Sequence, residues 1–543
     1  MTPASQDARP VDDHSYYPQF VPAPPPEMTV GDALRRAVRI APDRTGLVGF
    51  ETDPARRWTF AELLSDAEPL AASLLHAFAP GDRVAVCSPN CAEVVLLQFA
   101  VALGGLTLVP LNPTLRDREL EYALGHSGAS VAFVAAEHRD RGLAELVSSM
   151  ARRLPLLREV VALPAQLVAW RSRAVGSTLS DVEPGALGQI QYTSGTTGLP
   201  KGVLITHRGM TTTAAAFTSR LARPAGGVWI NPMPLFHTAG NVLGALGACW
   251  QVATHVVLPF KPSRVVEAIV SERADVLSAA PTLLHALVDE FHPQALDLPT
   301  LEVVFTGGST LEPAFVRRVE ASFGARLSVI FGMTETCGAA LVTSPQDGPT
   351  DRQTTAGRPL PYTEIKIVDT ESQEIVRCGE RGELCVRGAR ITTGYHDRAD
   401  ETARTIDTDG WLHTGDQASM DDRGYCRIEG RLKELIKSGG ENIAPSEIES
   451  CLLEHPAVSQ TAVVGLPDER WGEIVTAFVV PVGERTPTLA AELLEHCRGT
   501  LAPFKLPRRW AFVDELPVTA SGKVQRVVLR DRAIGAPDQL ERT

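Results

Sequence analysis

Residues 83–111 read RVAVCSPNCAEVVLLQFAVALGGLTLVPL, and few architectures accept such a stretch. RVAVCS is a short apolar run that breaks at Pro89, the segment from Glu93 to about Leu103 has the length of a helix, and LTLVPLN after Gly104 and Gly105 is a second apolar run. Two short runs without alternation, joined by a helix-length segment, predict parallel strands buried on both faces, because a tight hairpin cannot join parallel neighbours. The rhythm returns in GVWINPM, a helix after His237 and THVVLPF, and then in DVLSAAP, LEVVFTGG and RLSVIFGM, each breaking at Gly or Pro. The expectation is an α/β fold of parallel-rich sheets with helices, with its loops gathered at the carboxyl ends of the strands where such folds bind ligands. The uncharged stretches 94–115 and 237–260 are long enough to raise the question of a membrane. Gly, Pro and polar residues fall where a helix-to-strand break belongs, so buried helix plus buried strand is expected and no integral membrane segment.

A chain of 543 residues exceeds one core and suggests about three or four structural units. From about residue 357 the texture changes: GELCVRG and DQASMDDRGYCRIEG carry the alternation and turn chemistry of antiparallel hairpins, a small barrel-like subdomain. After Arg431 it changes again. SEIESCLLEHP reads as a helix capped by Ser446 with Pro445 just before it, AVSQTAVVGLP, EIVTAFVVPVG and RRWAFVDELP as strands, and LAAELLEHCRGTL as a helix between. The division expected is a proline-rich tail over 1–27 that drapes over the fold or stays mobile, a large body over 28–431 and a small α+β lid over 432–543. The tail lacks a basic start followed by an apolar run and is not a secretory signal. A net charge of −13 gives no nucleic-acid surface and requires any polyanionic ligand to meet a local positive site. Nine scattered cysteines without a CxxC pair, Cys87 and Cys91 lacking a histidine cluster, fit buried thiols in a reducing cytoplasm and no metal site.

The segment YTSGTTGLPKGV (192–203) packs no core and has no periodicity. Strand formers flank it (QIQY before, GVLIT after), which argues against a linker. A Walker A loop needs a GK[ST] end opening a helix, whereas here Pro200 precedes Lys201 and Gly202 follows it. The physics of anion binding survives: backbone N–H groups and hydroxyls around an anion, with one mobile positive charge.

This loop resembles the phosphate loop of the adenylate-forming superfamily of acyl-CoA synthetases, adenylation domains and luciferases. The companion signatures follow in family order: PMPLFHTAG (232–240), FTGGST (305–310), FGMTET (331–336), GWLHTGD (410–416), GRLKELIKSGGENIAPSEIE (430–449) and PVTASGKVQR (517–526). The resemblance covers roughly residues 30–530 and implies ATP-dependent activation of a carboxylic acid to an acyl-adenylate, with pyrophosphate release. Transfer to the thiol of coenzyme A then gives acyl-CoA and AMP. It implies that Thr193, Ser194, Gly195, Thr196, Thr197, Gly198 and Lys201 cradle the β- and γ-phosphates. Thr334 is similar to the threonine that contacts the α-phosphate and Glu335 to the Mg²⁺-binding carboxylate. Gly307, Gly308 and Ser309 resemble the segment against adenine, Asp416 the carboxylate on the ribose hydroxyls, and Arg431 the arginine that reaches ribose or phosphate.

On the same resemblance, Lys523 enters the cleft to bridge carboxylate and α-phosphate. A thiol cannot enter while it does so, so the lid is expected to rotate about Lys433, after which Gly439, Gly440 and Glu441 line the pantetheine tunnel. His237 either packs beside an apolar helix or gates and orients the carboxylate. Amino-acid-activating relatives carry an aspartate here; the sequence Phe236-His237-Thr238-Ala239 has none, which argues against an α-amino acid. The small apolar lining expected from Thr238 to Gly244, SAAPTLLHA (278–286) and TCGAA (336–340) suits a fatty, alicyclic or aromatic acid. SGGENIAPSEIE is typical of the CoA-ligase branch. Only about twenty residues follow Lys523, so no attached carrier is expected. A separate acyl carrier protein or another nucleophile stays open as the acceptor. A dead nucleotide-binding regulator is disfavoured, since Lys201, Glu335, Asp416 and Lys523 are all present.

Overall fold

The computed structural model describes residues 10–542 except 12, 20–24, 174–178, 180, 194–199, 292–297, 309–310, 439–440, 469–470 and 519–523, with backbone alone at 441, 442, 538 and 542. Two parallel-rich sheets form the body. The seven-stranded sheet runs Gly394–Tyr395, Lys201–Thr206, Leu187–Thr193, Thr107–Leu111, Arg83–Cys87, Ala129–Ala135, Glu159–Leu163. Its last five strands are parallel, and Leu187–Thr193 turns back antiparallel onto Lys201–Thr206. The nine-stranded sheet is parallel from Thr45–Gly49 to Arg326–Phe331, through Thr254–Val257, Val228–Asn231, Val276–Ser278 and Val303–Gly307, with antiparallel strands at both edges.

The opening stretch folds as its pattern predicts, with strand Arg83–Cys87, helix Ala92–Leu103 and strand Thr107–Leu111. Every residue of the helix is buried, and its polar members are satisfied: Gln98 donates to the Asn241 carbonyl at 3.1 Å and Glu93 accepts from Arg56 at 2.5 Å. One core joins the two sheets through the helices between them. Leu47 and Val257 of the larger sheet and Val84 and Phe133 of the smaller one belong to a single cluster with residues of helices Val30–Ile40, Phe60–Ala77 and Ala92–Leu103. Among the described residues no helix is long and apolar enough to cross a membrane.

The third sheet is antiparallel, in the order Tyr16–Tyr17, Thr363–Val368, Gly382–Gly388, Leu412–Met420, Cys426–Arg431. Leu412–Met420 alternates buried and half-buried residues, as a one-faced strand should. The turn before Cys426 closes at Gly424, whose φ of +83° suits glycine. Within the proline-rich tail, Tyr16–Tyr17 adds an edge strand to this sheet and Tyr17 is 3% exposed, a contribution too short for sequence periodicity to show.

The segment after Arg431 has its own core, including Ile436, Ile448, Leu452, Val475, Leu493 and Trp510. Strand Val458–Asp468 pairs antiparallel with Gly472–Pro481, which runs parallel to Arg509–Phe512 with helix Leu489–Thr500 as the crossover. One expectation fails here. Ser446 is not the cap of the following helix: the helix starts at Pro445, Ala444 is the cap, and the Ser446 hydroxyl donates to the Glu429 carbonyl. Proline has no N–H to satisfy and a φ preset for the first helical position, so it takes that place and displaces the serine inward.

Candidate active site

The two strands that flank the phosphate-loop signature pair antiparallel, with Thr193 opposite Lys201. Ser194, Gly195, Thr196, Thr197 and Gly198 lie outside the described residues. The Lys201 ammonium forms an ion pair with Glu401 of the short helix Ala399–Thr405 and lies 5.2 Å from the centroid of the Tyr395 ring. Tyr395 belongs to the two-residue edge strand beside Lys201–Thr206, and its hydroxyl donates to Glu335 Oε1 at 2.7 Å. The structure thus joins Lys201 and Glu335, more than a hundred residues apart in the chain, through one aromatic ring.

Glu335 sits in a tight turn, Thr334–Thr336, that follows strand Arg326–Phe331. The Met333 N–H donates to the Thr336 hydroxyl at 3.0 Å, and the Thr392 N–H donates to the Glu335 carbonyl at 2.8 Å. Thr334 is half-buried while Glu335 is 7% exposed, so the turn leaves one hydroxyl accessible beside a nearly buried carboxylate. Burial is the main cause that pushes the Tyr395 phenol well above its usual range, and the Glu335 charge adds to it. The phenol therefore stays protonated and donates to the carboxylate. A carboxylate with a neutral partner fits a hard divalent cation that retains most of its own waters.

Gly307 ends strand Val303–Gly307 opposite Ile330, and a Cβ there would lie 2.5 Å from the Ile330 carbonyl oxygen. Gly308 has a φ of +101° and faces open space, a bare backbone against which a flat ring can lie. Ser309 lies outside the described residues. His237 is half-buried in the turn between Asn231 and the helix Ala239–Leu246; its N–H donates to the Pro234 carbonyl at 3.0 Å. This turn is tied to the phosphate-loop strand by Gln191, whose amide donates to the Phe236 carbonyl at 2.7 Å. It also abuts the segment after Glu335, since a Cβ at Gly338 would come within 3.1 Å of the Thr238 side chain.

Asp416 is presented by a bulge. Gly382 and Glu383 face Ala418 and Gln417, whereas Cys385 faces His413, so strand Leu412–Met420 carries extra residues at Thr414–Asp416. The bulge is pinned: the Thr414 hydroxyl donates to the Leu384 carbonyl at 2.7 Å, and Glu383 Oε1 accepts from the Gly415 N–H at 3.0 Å. On the other side a second irregularity, between Gln417 and Ala418, places Arg431 rather than Gly430 opposite Asp416. Arg431 Nε lies 2.8 Å from Asp416 Oδ1, and the guanidinium also donates to the Thr414 carbonyl at 3.0 Å.

Lys433 is exposed in the tight turn Leu432–Glu434 that links Arg431 to the C-terminal core. Its neighbour Glu434 pairs with Arg526 at 3.2 Å, and Arg526 pairs with Glu449 at 2.8 Å. Lys523, Gly439 and Gly440 lie outside the described residues, and of Glu441 only the backbone is described, in strand Glu441–Ile443. Val518 and Val524, on either side of residues 519–523, form an antiparallel bridge.

Sequence reasoning missed Tyr395, Glu401 and Arg390. Arg390 is 1% exposed and donates to the carbonyls of Ala339 and Pro361, and burial lowers its pKa to about 9. It braces the segment after Glu335. No spacing in the sequence marks any of the three, because each acts across strands distant in the chain.

Two parallel-rich sheets, an antiparallel sheet presenting Asp416 and a C-terminal α+β unit, in this order, are the architecture of the adenylate-forming superfamily. The chain belongs to the AMP-binding enzyme family: the family profile matches residues 34–396, and that of the AMP-binding enzyme C-terminal domain matches residues 447–523. It lies in the acyl-CoA ligase branch. It is 34% identical to the putative acyl-CoA synthetase YngI of Bacillus subtilis over 93% of this chain and 97% of that one. Among solved structures, ATP-bound MatB from Rhodopseudomonas palustris superposes with a TM-score of 0.84 at 26% identity, over 93% of this chain and 99% of that one. The anthranilate CoA ligase AuaEII in complex with anthranoyl-AMP superposes with a TM-score of 0.85 at 28% identity, over 95% and 99%.

Proposed function

We propose that the protein converts a fatty, alicyclic or aromatic carboxylic acid and ATP to acyl-adenylate and pyrophosphate, then to acyl-CoA and AMP. The observation that carries this reading is the convergence of Lys201, Tyr395 and Glu335 on one network. A lysine beside the phosphate-loop strand and a carboxylate whose partner is a neutral phenol are groups that a nucleotide–magnesium complex can use. The substrate carboxylate attacks the α-phosphorus, the bond to the bridging oxygen breaks, and pyrophosphate leaves. Thr334 contacts the α-phosphate, Lys201 and the phosphate loop hold the departing charge, Gly307 and Gly308 take the adenine, and Asp416 accepts from the ribose hydroxyls with Arg431 beside it. Glu335 holds Mg²⁺, which supplies charge neutralisation at the phosphates. His237, in the turn before the helix Ala239–Leu246, orients the acid; the absence of a carboxylate from Phe236 to Ala239 argues against an α-ammonium substrate.

Residues 432–543 act as a lid turning at Lys433. Lys523 bridges carboxylate and α-phosphate in the first half-reaction, and the segment Gly439–Glu441 lines the thiol path in the second. Coenzyme A is the acceptor and the cytoplasm the site of action; a separate carrier protein is the alternative acceptor. Mass spectrometry of products across an acid panel, with and without coenzyme A, decides: acyl-CoA and AMP are expected, and no CoA-dependent AMP release with any acid refutes the reading. Lys523→Ala is expected to lower pyrophosphate exchange at least ~10²-fold, the scale of a lost transition-state donor, and to spare thioester formation from supplied acyl-adenylate. Equal loss of both refutes its role.

A further inference from the structure

The bulge that presents Asp416 stands on a cluster outside the nucleotide site. Glu383 and Cys385 are two apart on strand Gly382–Gly388 and therefore share a face, and His413 lies directly across from Cys385. His413 Nδ1 is 2.9 Å from Glu383 Oε2 and 3.5 Å from Cys385 Sγ. One ligand atom from each residue lies within 4.8 Å of the others. The other imidazole nitrogen, Nε2, faces Asp407 Oδ2 at 3.5 Å. Asp407 is itself fixed, its Oδ1 accepting the N–H groups of Asp409 and Trp411 at 2.9 and 2.8 Å. In the 2.9 Å contact the Glu383 carboxylate can only accept, so Nδ1–H is the donor. An ion would take the place of that proton, with Asp407 on the far side of the ring to hold Nε2–H, the arrangement metal-binding histidines use.

From these contacts we infer that Glu383, Cys385 and His413 form a binding site for a thiophilic divalent cation of the zinc class, independent of the nucleotide chemistry. Sulfur, imidazole and one carboxylate oxygen are a donor set that selects such an ion over magnesium or calcium. Tetrahedral ligation at zinc bond lengths needs an N···S separation of about 3.6 Å and an N···O separation of about 3.3 Å. The first is already met, and the second asks the carboxylate to move by about 0.4 Å. Glu383 does so without releasing the bulge, because its other oxygen is the one that holds Gly415. Two carboxylates, Glu383 and Asp407, lie at the site; Lys366 and Arg387 lie 4.5 and 4.4 Å from the centroid of the Trp411 ring, and Arg387 is itself paired with Glu364. Cys385 is buried, while His413 and Glu383 side chains are 22% and 12% exposed, so the ion has an approach from solvent and a place for a water as fourth ligand. Burial pushes the Cys385 thiol up to about 12; binding therefore breaks the S–H bond, forms the metal–thiolate bond and releases one proton to solvent.

The test is titration of the full-length protein with Co²⁺ alone. One equivalent is expected to produce thiolate-to-cobalt charge-transfer absorption, removed by Zn²⁺ and not by excess Mg²⁺. The band is lost in Cys385→Ser, and in Cys385→Ala should the serine variant misfold. It persists in Cys378→Ser, and Glu383→Gln weakens Co²⁺ binding at least tenfold. No band, or one unchanged in a folded Cys385 variant, overturns the site. Activity with ATP and acid is not the readout, so the result stands apart from the proposed reaction.

Discussion

Glu335 and Asp416 are nearly equally buried, 7% and 3% exposed, yet their surroundings are opposite in kind. Glu335 is held by a neutral phenol, and the nearby Lys201 is kept on Glu401 and the Tyr395 ring. Asp416 is paired with the Arg431 guanidinium across the strand ladder. A buried carboxylate without a cationic partner keeps an unspent charge, whereas one already paired is nearly neutral as a unit and offers mainly oriented lone pairs. The first is suited to a metal ion and the second to sugar hydroxyls. The sharpest way to break this contrast is to neutralise each in turn. Glu335→Gln is expected to lower pyrophosphate exchange by ~10²–10³, the scale of losing one transition-state electrostatic contact. Asp416→Asn is expected to raise the KM for ATP with kcat within about tenfold, as loss of uniform binding does. Like effects on kcat in the two variants would void the comparison.

Tyr395 sharpens it further. A hydrogen bond to a charged group contributes about 1.5–3 kcal/mol, so Tyr395→Phe is expected to raise the Mg²⁺ concentration for half-maximal exchange by about 10–100-fold. The rate at saturating Mg²⁺ should be close to that of the unaltered protein. Burial and the Glu335 charge both raise the phenol pKa, so the hydroxyl is protonated throughout the neutral range and the variant's defect is expected to be flat between about pH 6 and 9. A defect confined to kcat, or one that grows with pH, assigns Tyr395 a different role.

What was legible in the sequence divides along the same line. Apolar runs and Gly or Pro breaks located Arg83–Cys87 and Thr107–Leu111, since strands buried on both faces leave a continuous apolar signal. Motif resemblance singled out Lys201, Glu335, Asp416 and Arg431, and the fold joins the first two through Tyr395 and pairs the last two directly. The connecting geometry was not legible. Tyr395 sits in a strand of two residues, too short to show a period of two. Arg431 faces Asp416 only because the ladder slips by one residue, and no alternation count reveals a bulge. Tyr16–Tyr17 is hidden among prolines for the same reason of length, and Ser446 misled because the proline before it had a better claim to the helix start.

The smallest effect concerns the partner that keeps Lys201 away from Glu335. Lys201 and Glu401 side chains are 23% and 30% exposed, so their ion pair is partly screened and contributes of the order of 0.5–1 kcal/mol. The nucleotide must draw Lys201 from that pair before the phosphates gain its charge, and the pair's stability therefore opposes binding. Glu401→Gln is accordingly expected to lower the KM for ATP by about two- to fivefold, an effect that shrinks as added salt screens the pair in the unaltered protein. In Glu401→Gln the freed ammonium also stands closer in energy to Glu335, so the Mg²⁺ requirement should rise even as ATP binds more tightly. A variant that loses ATP affinity instead would show that Glu401 orients Lys201 for the phosphates, and that the separation of the lysine from Glu335 rests on the Tyr395 ring alone.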